Sequence, residues 1–303
     1  MSPLSGVFPI APTTFHDDET LDLDSQRNVV EFLVDAGVDG ICVLANYSEQ
    51  FSLTDAERDT LLAKMLHWVG GRVPVIVTTS HYSARVAAMR SRQAEEHGAA
   101  MVMLMPPYHG ATLRVPAAKQ ADYFATVAEA VDIPIMVQDA PMSGTELTAA
   151  ELAGLAVEVP QIQYVKVESP GTAAKLRELV QLAGDALPGP FDGEESITLV
   201  PDLQAGARGT MPSSMVPDVL GDVVRGYLAG DVAAAVARWE EHLPLIHYEN
   251  RQCGLRATKV LMKEGGIIAS EATRAPFGPL PAATRAGLVE LARRHDPLVL
   301  RWS

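Results

Sequence analysis

Short aliphatic runs alternate with longer amphipathic stretches over residues 1–230 of this chain. Eight runs have the length and β-branched content of strands, at residues 7–11, 40–44, 73–78, 101–105, 133–138, 164–167, 187–191 and 209–211. Helical periodicity follows each run, over residues 24–36, 54–69, 83–97, 116–131, 148–157, 171–182, 196–205 and 216–229. Repeated strand–helix pairs indicate a parallel sheet, and eight pairs predict an α/β fold of the (β/α)8 TIM barrel type.

Local signals support the ends of these helices. Thr54 is followed three residues later by Glu57, which predicts a capping box at the start of the second helix. Gly37, Gly98 and Gly206 each follow a helical stretch, where glycine commonly ends a helix.

The last part of the chain has a different pattern from the first. Residues 231–303 lack strand-like alternation and indicate helices, the last of them over 282–295. We therefore predict a catalytic barrel over residues 1–230 and a C-terminal helical extension over 231–303. The alternative, a doubly wound open sheet, would place a glycine-rich phosphate loop after the first strand, and the sequence has no such loop there.

Charge and composition restrict the class of partner. The formal net charge of −14 over 303 residues argues against nucleic acid and disfavours anionic membranes. A small acid can still bind through local backbone amides and hydroxyls. The N-terminus lacks a signal peptide pattern, no run is long enough to span a bilayer, and Cys42 and Cys253 lie far apart. We therefore expect a cytoplasmic protein with a small-molecule partner and no membrane association.

Lys166 is the most unusual residue, because it lies inside a run that reads as the sixth strand. Side chains alternate along a strand, so Val165 and Val167 share one face while Tyr164, Lys166 and Glu168 share the other. A buried lysine favours its neutral form, which attacks ketones to form a Schiff base. The alternative is a lysine at a strand end whose stem packs while its ammonium group reaches water.

The ends of the second, third and fourth strands carry polar groups where a barrel places its active site. After the second strand, the amides and hydroxyls of Asn46, Tyr47 and Ser48 could bind a carboxylate, although such residues are also common in ordinary loops. His81 and Tyr108 follow the third and fourth strands and are candidates for proton transfer. The alternatives are a hydrogen-bonded loop histidine and a tyrosine packed in a proline-rich turn.

An acidic run, residues 192–196, follows the seventh strand. Its carboxylates could hold a divalent metal, but acidic residues are also favoured at a helix N-terminus, which is where this run lies. No pair of histidines at ligand spacing accompanies it, so we expect no metal. Glu194 is instead included among the candidates for substrate binding.

Six stretches of the chain together resemble the dihydrodipicolinate synthase and N-acetylneuraminate lyase superfamily of class I aldolases and dehydratases. The resemblance runs from about Gly6 to the C-terminus. The stretches are residues 45–50, 78–83, 105–110, 138–141, 192–195 and 247–252.

The resemblance implies a role for several residues. Lys166 matches the family's Schiff-base lysine, and Tyr108 matches a tyrosine that reaches into a neighbouring subunit's site in the synthases. Asn46 and Tyr47 fall in the family's carboxylate-binding turn, whose glutamate corresponds to Glu49. The resemblance also implies a homotetramer of barrels.

Two departures from the family pattern change the expected chemistry. The family's general-acid tyrosine lies in a Y-N-x-P run, and here residues 138–141 read Gln-Asp-Ala-Pro. Two glycines of the carboxylate-binding turn are also replaced, by Ala45 and Ser48. Without the tyrosine the usual hydroxyl relay cannot operate, which argues against synthase and ordinary neuraminate lyase activity. Gln138 is a substrate-binding candidate, and Glu168 is the expected base.

Together with these departures, the resemblance implies a Schiff-base dehydration of a 2-keto-3-deoxy sugar acid, with L-2-keto-3-deoxyarabonate as the leading substrate and 2-oxoglutarate semialdehyde as product. Lys166 supplies the electron sink, so no metal or organic cofactor is expected. Tyr108 or His81 would assist the leaving hydroxyl or the later proton shifts. The alternatives are a class I retro-aldolase that releases pyruvate and a non-catalytic barrel that binds 2-oxoacids.

Overall fold

The computed structural model of the chain describes residues 3–108, 115–116 and 119–302. His109, Gly110 and part of the predicted helix 116–131 lie outside the described residues. The chain divides into two compact units. The first contains residues 3–5 with Val75–Glu194 and Thr198–Met211, and the second contains Gly6–Pro74, Glu195–Ile197 and the chain from Pro212 onward.

The described ranges contain eight strands in one sheet, hydrogen-bonded in the order β1-β8-β7-β6-β5-β4-β3-β2. They are β1 (Gly6–Val7), β2 (Ile41–Val43), β3 (Val75–Thr78), β4 (Met101–Leu104), β5 (Ile135–Asp139), β6 (Ile162–Val167), β7 (Gly189–Asp192) and β8 (Gly209–Thr210). The strand–helix alternation confirms the predicted (β/α)8 barrel fold with a helical C-terminal segment.

Eight helices follow the strands in turn within the described part of the chain. They are α1 (Leu23–Asp35), α2 (Asp55–Val69), α3 (Ala84–Glu96), α4 (Gln120–Ala128), α5 (Ala149–Glu158), α6 (Thr172–Ala183), α7 (Leu199–Gln204) and α8 (Pro217–Leu228). The C-terminal segment adds α9 (Val232–Tyr248), a π-helical turn (Glu249–Cys253), α10 (Arg256–Glu264) and α11 (Ala282–His295). The boundary predicted at residue 230 remains a prediction.

Capping explains where several helices begin and end. The Thr54 hydroxyl accepts the Glu57 N–H while the Glu57 carboxylate accepts the Thr54 N–H, which confirms the predicted capping box of α2. Gly37, Gly98 and Gly206 have φ of 69°, 93° and 109°, a region that glycine adopts without a steric penalty. These glycines end their helices as predicted.

Several predicted elements are shorter in the structure, among them the first strand and the seventh helix. The first predicted strand, 7–11, is reduced to β1, and beyond it Ile10 forms only isolated bridges. Pro9 has no N–H to continue the hydrogen-bonded ladder. The helix predicted from residue 196 begins at Leu199, because Glu195 and Ser196 have φ of 50° and 66°.

The first unit is built on the parallel strands β3 to β8, each paired with its neighbour in sequence. Most residues of these strands are buried, and many of them are aliphatic, such as Val102, Val137 and Val165. Runs of this kind are expected where both faces of a sheet are covered.

The second unit contains β1, β2 and the C-terminal helices. Ile10 forms parallel bridges to Cys42 and Ser213. Cys42 and Cys253 are both buried and are not joined by a disulfide bond. No helix in the described ranges has both the length and the apolar character needed to cross a bilayer.

Candidate active site

Lys166 lies in the interior of β6 and is only 1% exposed. Its register partners are Gln138 on β5 and Phe191 on β7. A fully buried lysine is rare in proteins unless its ammonium group is paired. The environment of its Nζ therefore decides whether this lysine has a structural or a chemical role.

The two faces of β5 and β6 differ in what they contact. Asp139 pairs in register with Val167, and its carboxylate accepts a hydrogen bond from Lys175 of α6 at 2.5 Å. This face therefore points toward the helices. Because side chains alternate, Gln138 and Lys166 point to the opposite face. The predicted division of β6 into two faces is thus observed.

Lys166, Glu168 and Gln138 form one connected group on that face. The Lys166 Nζ lies 2.6 Å from the Glu168 Oε1, and the Gln138 Nε2 donates to the same oxygen at 2.8 Å. The Glu168 side chain is 17% exposed, against 2% for that of Lys166. Glu168 is therefore held beside the amine by two donors, while part of its side chain remains exposed.

The backbone of Gly193 packs closely against the side chains of Lys166 and Glu168. A Cβ built on Gly193 would lie 2.7 Å from the Cγ atoms of both Lys166 and Glu168, and 2.9 Å from the Val167 carbonyl oxygen. Only glycine permits this approach without displacing its neighbours. Sequence reasoning did not single out this residue, although a glycine directly after a strand was a visible signal.

Tyr108 and His81 lie in the first unit at the ends of β4 and β3. The Tyr123 hydroxyl donates to the backbone carbonyl of His81 at 2.8 Å, and the His81 Nδ1 accepts the Ser83 N–H at 3.0 Å. In the neutral imidazole the proton therefore sits on Nε2. Tyr108 is half-buried, and its burial raises the pKa of its hydroxyl above the ordinary value of 10.0.

The turn with Asn46, Tyr47 and Ser48 belongs to the second unit and forms a single 3-10 turn after β2. The Gln50 Nε2 donates to the Asn46 Oδ1 at 2.7 Å, which orients the asparagine amide. The Ser48 hydroxyl donates to the Ala11 carbonyl at 2.7 Å, so its proton supports the turn itself.

Glu49 follows this turn directly and holds its end in place through buried contacts. It has φ of 56°, a left-handed conformation, and its buried carboxylate pairs with the ammonium group of the equally buried Lys259. Its other oxygen accepts the backbone N–H of Arg274 at 2.9 Å. Lys259 was missed by sequence reasoning, because its partner lies 210 positions away in sequence.

The acidic run after β7 does not converge as a set of metal ligands. Asp192 is fully buried and accepts the Thr210 hydroxyl at 2.5 Å on Oδ2. Glu195 belongs to the second unit, where its carboxylate accepts a bond from Asn250 at 3.3 Å. Glu194 is partly exposed, and its backbone N–H hydrogen-bonds the Asp192 carboxylate. The acidic residues of this run therefore have separate partners.

Known proteins resemble this chain over nearly its whole length. The sequence profile of the dihydrodipicolinate synthetase family matches residues 3–294. The chain is 56% identical over 298 residues to L-2-keto-3-deoxyarabonate dehydratase of Azospirillum brasilense, an alignment that covers 98% of this chain and 96% of that protein.

Solved structures agree with this match. Dihydrodipicolinate synthase from Rhodopseudomonas palustris superposes with a TM-score of 0.87 at 29% identity, covering 97% of this chain and 99% of that chain. YagE from Escherichia coli K12, solved in complex with pyruvate, superposes with a TM-score of 0.89 at 26% identity and the same coverage of both chains.

Proposed function

The chain belongs to the dihydrodipicolinate synthetase family, and from that premise we propose that it is a Schiff-base dehydratase of a 2-keto-3-deoxy sugar acid. The substrate we propose is L-2-keto-3-deoxyarabonate, and the products are 2-oxoglutarate semialdehyde and water. The 56% identity to a dehydratase of this substrate supports the choice. The observation that carries the chemistry is the buried Lys166 amine in contact with the Glu168 carboxylate.

The first step joins Lys166 to the substrate. The amine adds to the C2 carbonyl, water leaves, and a protonated imine remains. The imine withdraws electrons from C3 and so makes the C3 hydrogen acidic. This addition requires the neutral form of the amine.

Glu168 removes the C3 proton in the second step. Its carboxylate oxygen is already within hydrogen-bond distance of the nitrogen that becomes the imine, two bonds away from C3. The resulting enamine expels the C4 hydroxyl, which takes up a proton and leaves as water. The Gln138 amide, which donates to the same carboxylate, orients Glu168 for this transfer.

The remaining steps convert C5 into the aldehyde. Loss of a proton from C5 gives an enol, and protons return to C3 and C4 as the enol becomes the aldehyde. Hydrolysis of the imine then releases the product and regenerates Lys166. Tyr108 and His81 assist the leaving hydroxyl and these later proton shifts, and Glu194 contributes to substrate binding. Asn46, Tyr47 and Ser48 bind the substrate carboxylate, as their match to the family turn implies.

Further properties belong to the same proposal. The enzyme works without a metal or organic cofactor, because the imine itself is the electron sink. It acts in the cytoplasm and assembles as a homotetramer.

Product analysis tests the proposed reaction. The purified chain is incubated with L-2-keto-3-deoxyarabonate, and semialdehyde and pyruvate are measured separately, with Lys166→Ala as the matched control. Semialdehyde from the parent and not from the control is the expected result. Pyruvate and an aldehyde in place of semialdehyde would identify a retro-aldolase instead. Binding of pyruvate without turnover of any keto-deoxy acid would identify a 2-oxoacid sensor.

A further inference from the structure

Two buried carboxyl groups face each other in the first unit, on the helix-facing side of β7. Asp192 ends β7, Asp202 lies on α7, and both are 0% exposed. Asp192 is in register with Val167 and Thr210, so it points to the face opposite Lys166.

Each carboxyl group binds its own threonine. The Thr210 hydroxyl donates to the Asp192 Oδ2 at 2.5 Å, and the Thr198 hydroxyl donates to the Asp202 Oδ2 at 2.6 Å. The two Oδ1 atoms are buried and receive no hydrogen bond from a donor group of the described residues. The two carboxyl groups are neighbours, because each affects the pKa of the other.

Two carboxylates cannot bond each other without a proton, because each oxygen is only an acceptor when ionised. One shared proton satisfies both groups at once and removes one buried negative charge. Burial and the neighbouring Asp192 raise the pKa of Asp202 to about 8. Burial also raises the pKa of Asp192. The other charges that act on the pair are Lys166, which favours the Asp192 anion, and Glu194, which opposes ionisation of Asp202.

Gly193 connects the Asp192–Asp202 pair to the candidate active site. Asp192 is followed by Gly193, whose α-carbon packs against the side-chain stems of Lys166 and Glu168. The Asp192 carboxylate also accepts the backbone N–H of Glu194. The Asp192 carboxylate is therefore bonded to the same turn that packs against Lys166 and Glu168.

We propose that Asp202 is a positioning residue, which shares a proton with Asp192 and thereby holds the Gly193 turn in place against Lys166 and Glu168. The effect on catalysis rests on the proposed function, because it assumes that Lys166 is the imine-forming amine. The shared proton itself does not depend on that assumption.

The arrangement predicts a specific dependence on pH. Below about pH 8 the pair keeps its proton and the turn stays in place. Above that pH both groups are ionised and repel each other in a buried layer, which moves Asp192 and the turn. Asp202→Asn keeps a donor toward Asp192 at every pH and cannot ionise. It should therefore abolish the alkaline loss that the parent shows.

The experiment measures the rate at which pyruvate becomes trapped on the protein by borohydride, using the full chain from about pH 6 to about pH 10. The variant is Asp202→Asn, and the matched control is Asp185→Asn, which makes the same change at an exposed position of the same unit. The ratio of variant to parent rate should rise about tenfold between about pH 7 and about pH 9, while the control ratio stays constant. A ratio that is flat for Asp202→Asn overturns the proposal.

Thermal unfolding over the same pH range separates the two proposals. A raised pKa in an acid means that folding stability is lost as pH rises from the unfolded pKa to the folded pKa. The melting temperature of Asp202→Asn should therefore fall less than that of the parent between about pH 4 and about pH 8. Parallel curves for the two proteins would overturn the shared proton. If Asp202→Asn does not fold, Asp192→Asn makes the same test, because it also leaves one donor and one acceptor.

Failure of the proposed function and failure of the positioning role would give different results in these experiments. Absence of any pyruvate adduct in the parent contradicts the proposed function, and the unfolding curves then decide the shared proton. An adduct with a flat rate ratio contradicts the positioning role and leaves the proposed function intact.

Discussion

The Lys166 Nζ and the Glu168 Oε1 lie 2.6 Å apart. The two residues are two positions apart in sequence and share one face at the end of β6. Here the lysine is the more buried partner, and the carboxylate extends toward solvent. This arrangement suits a nucleophile with an adjacent base.

Replacement of Lys166 by alanine should abolish the borohydride-trapped adduct with pyruvate, because the imine needs this amine. Lys175→Ala is the matched control, since Lys175 lies in the same unit and its amine points to the helix-facing side. Mass spectrometry of the intact protein measures the adduct. An adduct that persists in Lys166→Ala would place the imine at another amine.

Glu168→Gln should slow dehydration about 10²- to 10⁴-fold, because an amide cannot accept the C3 proton. Trapping of pyruvate should continue, since Lys166 is still present. Glu178→Gln, at an exposed position on α6, is the control. Steady-state turnover and adduct formation are measured on the same samples. Unchanged turnover in Glu168→Gln would remove this residue from the role of base.

Gly193→Ala should slow turnover about 10²-fold, because the added methyl group overlaps the stems of Lys166 and Glu168 and shifts them. We also expect a stability loss of about 1–3 kcal/mol from overpacking. Gly154→Ala on α5 is the control, since no atom lies within 4 Å of the added Cβ. That control should be stabilised by about 0.5–1 kcal/mol, because alanine favours a helix more than glycine does. Equal behaviour of the two variants in kinetics and urea unfolding would contradict the close packing.

Lys259→Met should destabilise the protein by about 3–5 kcal/mol, because it leaves the Glu49 carboxylate buried without its counter-ion. The double variant with Glu49→Gln should recover part of this loss, since no charge then remains. Arg294→Met is the control, because its pair with Glu290 is exposed and contributes about 0–1 kcal/mol. Urea unfolding measures all three variants. A single-variant loss as small as the control would contradict the buried ion pair.

Glu249 predicts a second pH effect, located in the second unit. Burial raises the pKa of its carboxyl from 4.5 to about 7. The folded state therefore holds a proton that the unfolded state releases, and stability falls as pH rises from about 4.5 to about 7. Glu249→Gln should remove about 3 kcal/mol of this loss. Thermal unfolding at the two ends of that range measures it, and an unchanged slope would contradict the prediction.

Much of the fold was predictable because it depends on local patterns. The aliphatic runs located all eight strands to within a few residues, and the capping box of α2 followed from two residues three positions apart. The last helix, Ala282–His295, was predicted with its observed bounds. The first strand and α7 were predicted too long, because proline and positive-φ residues interrupt the backbone there.

The candidate site was predictable only where its residues share an element. Lys166 and Glu168 are two residues apart on one strand, so side-chain alternation alone places them on the same face. Gln138 was expected from the family pattern, but its bond to Glu168 required the register of β5 against β6. The contact of Gly193 with Lys166 and the pairing of Asp192 with Asp202 had no local signal.

The amino-acid sequence by itself determined the alternation of strands and helices, the position of one lysine inside a strand, and the face of that strand that it shares with Glu168. These properties follow from hydrophobic period and side-chain alternation, which act over a few residues. Only the tertiary structure decided what surrounds the amine, and which buried carboxyl groups must share a proton. Hydrogen bonds and desolvation depend on atoms from separate strands and helices, and their distances are set by the packing of the whole unit.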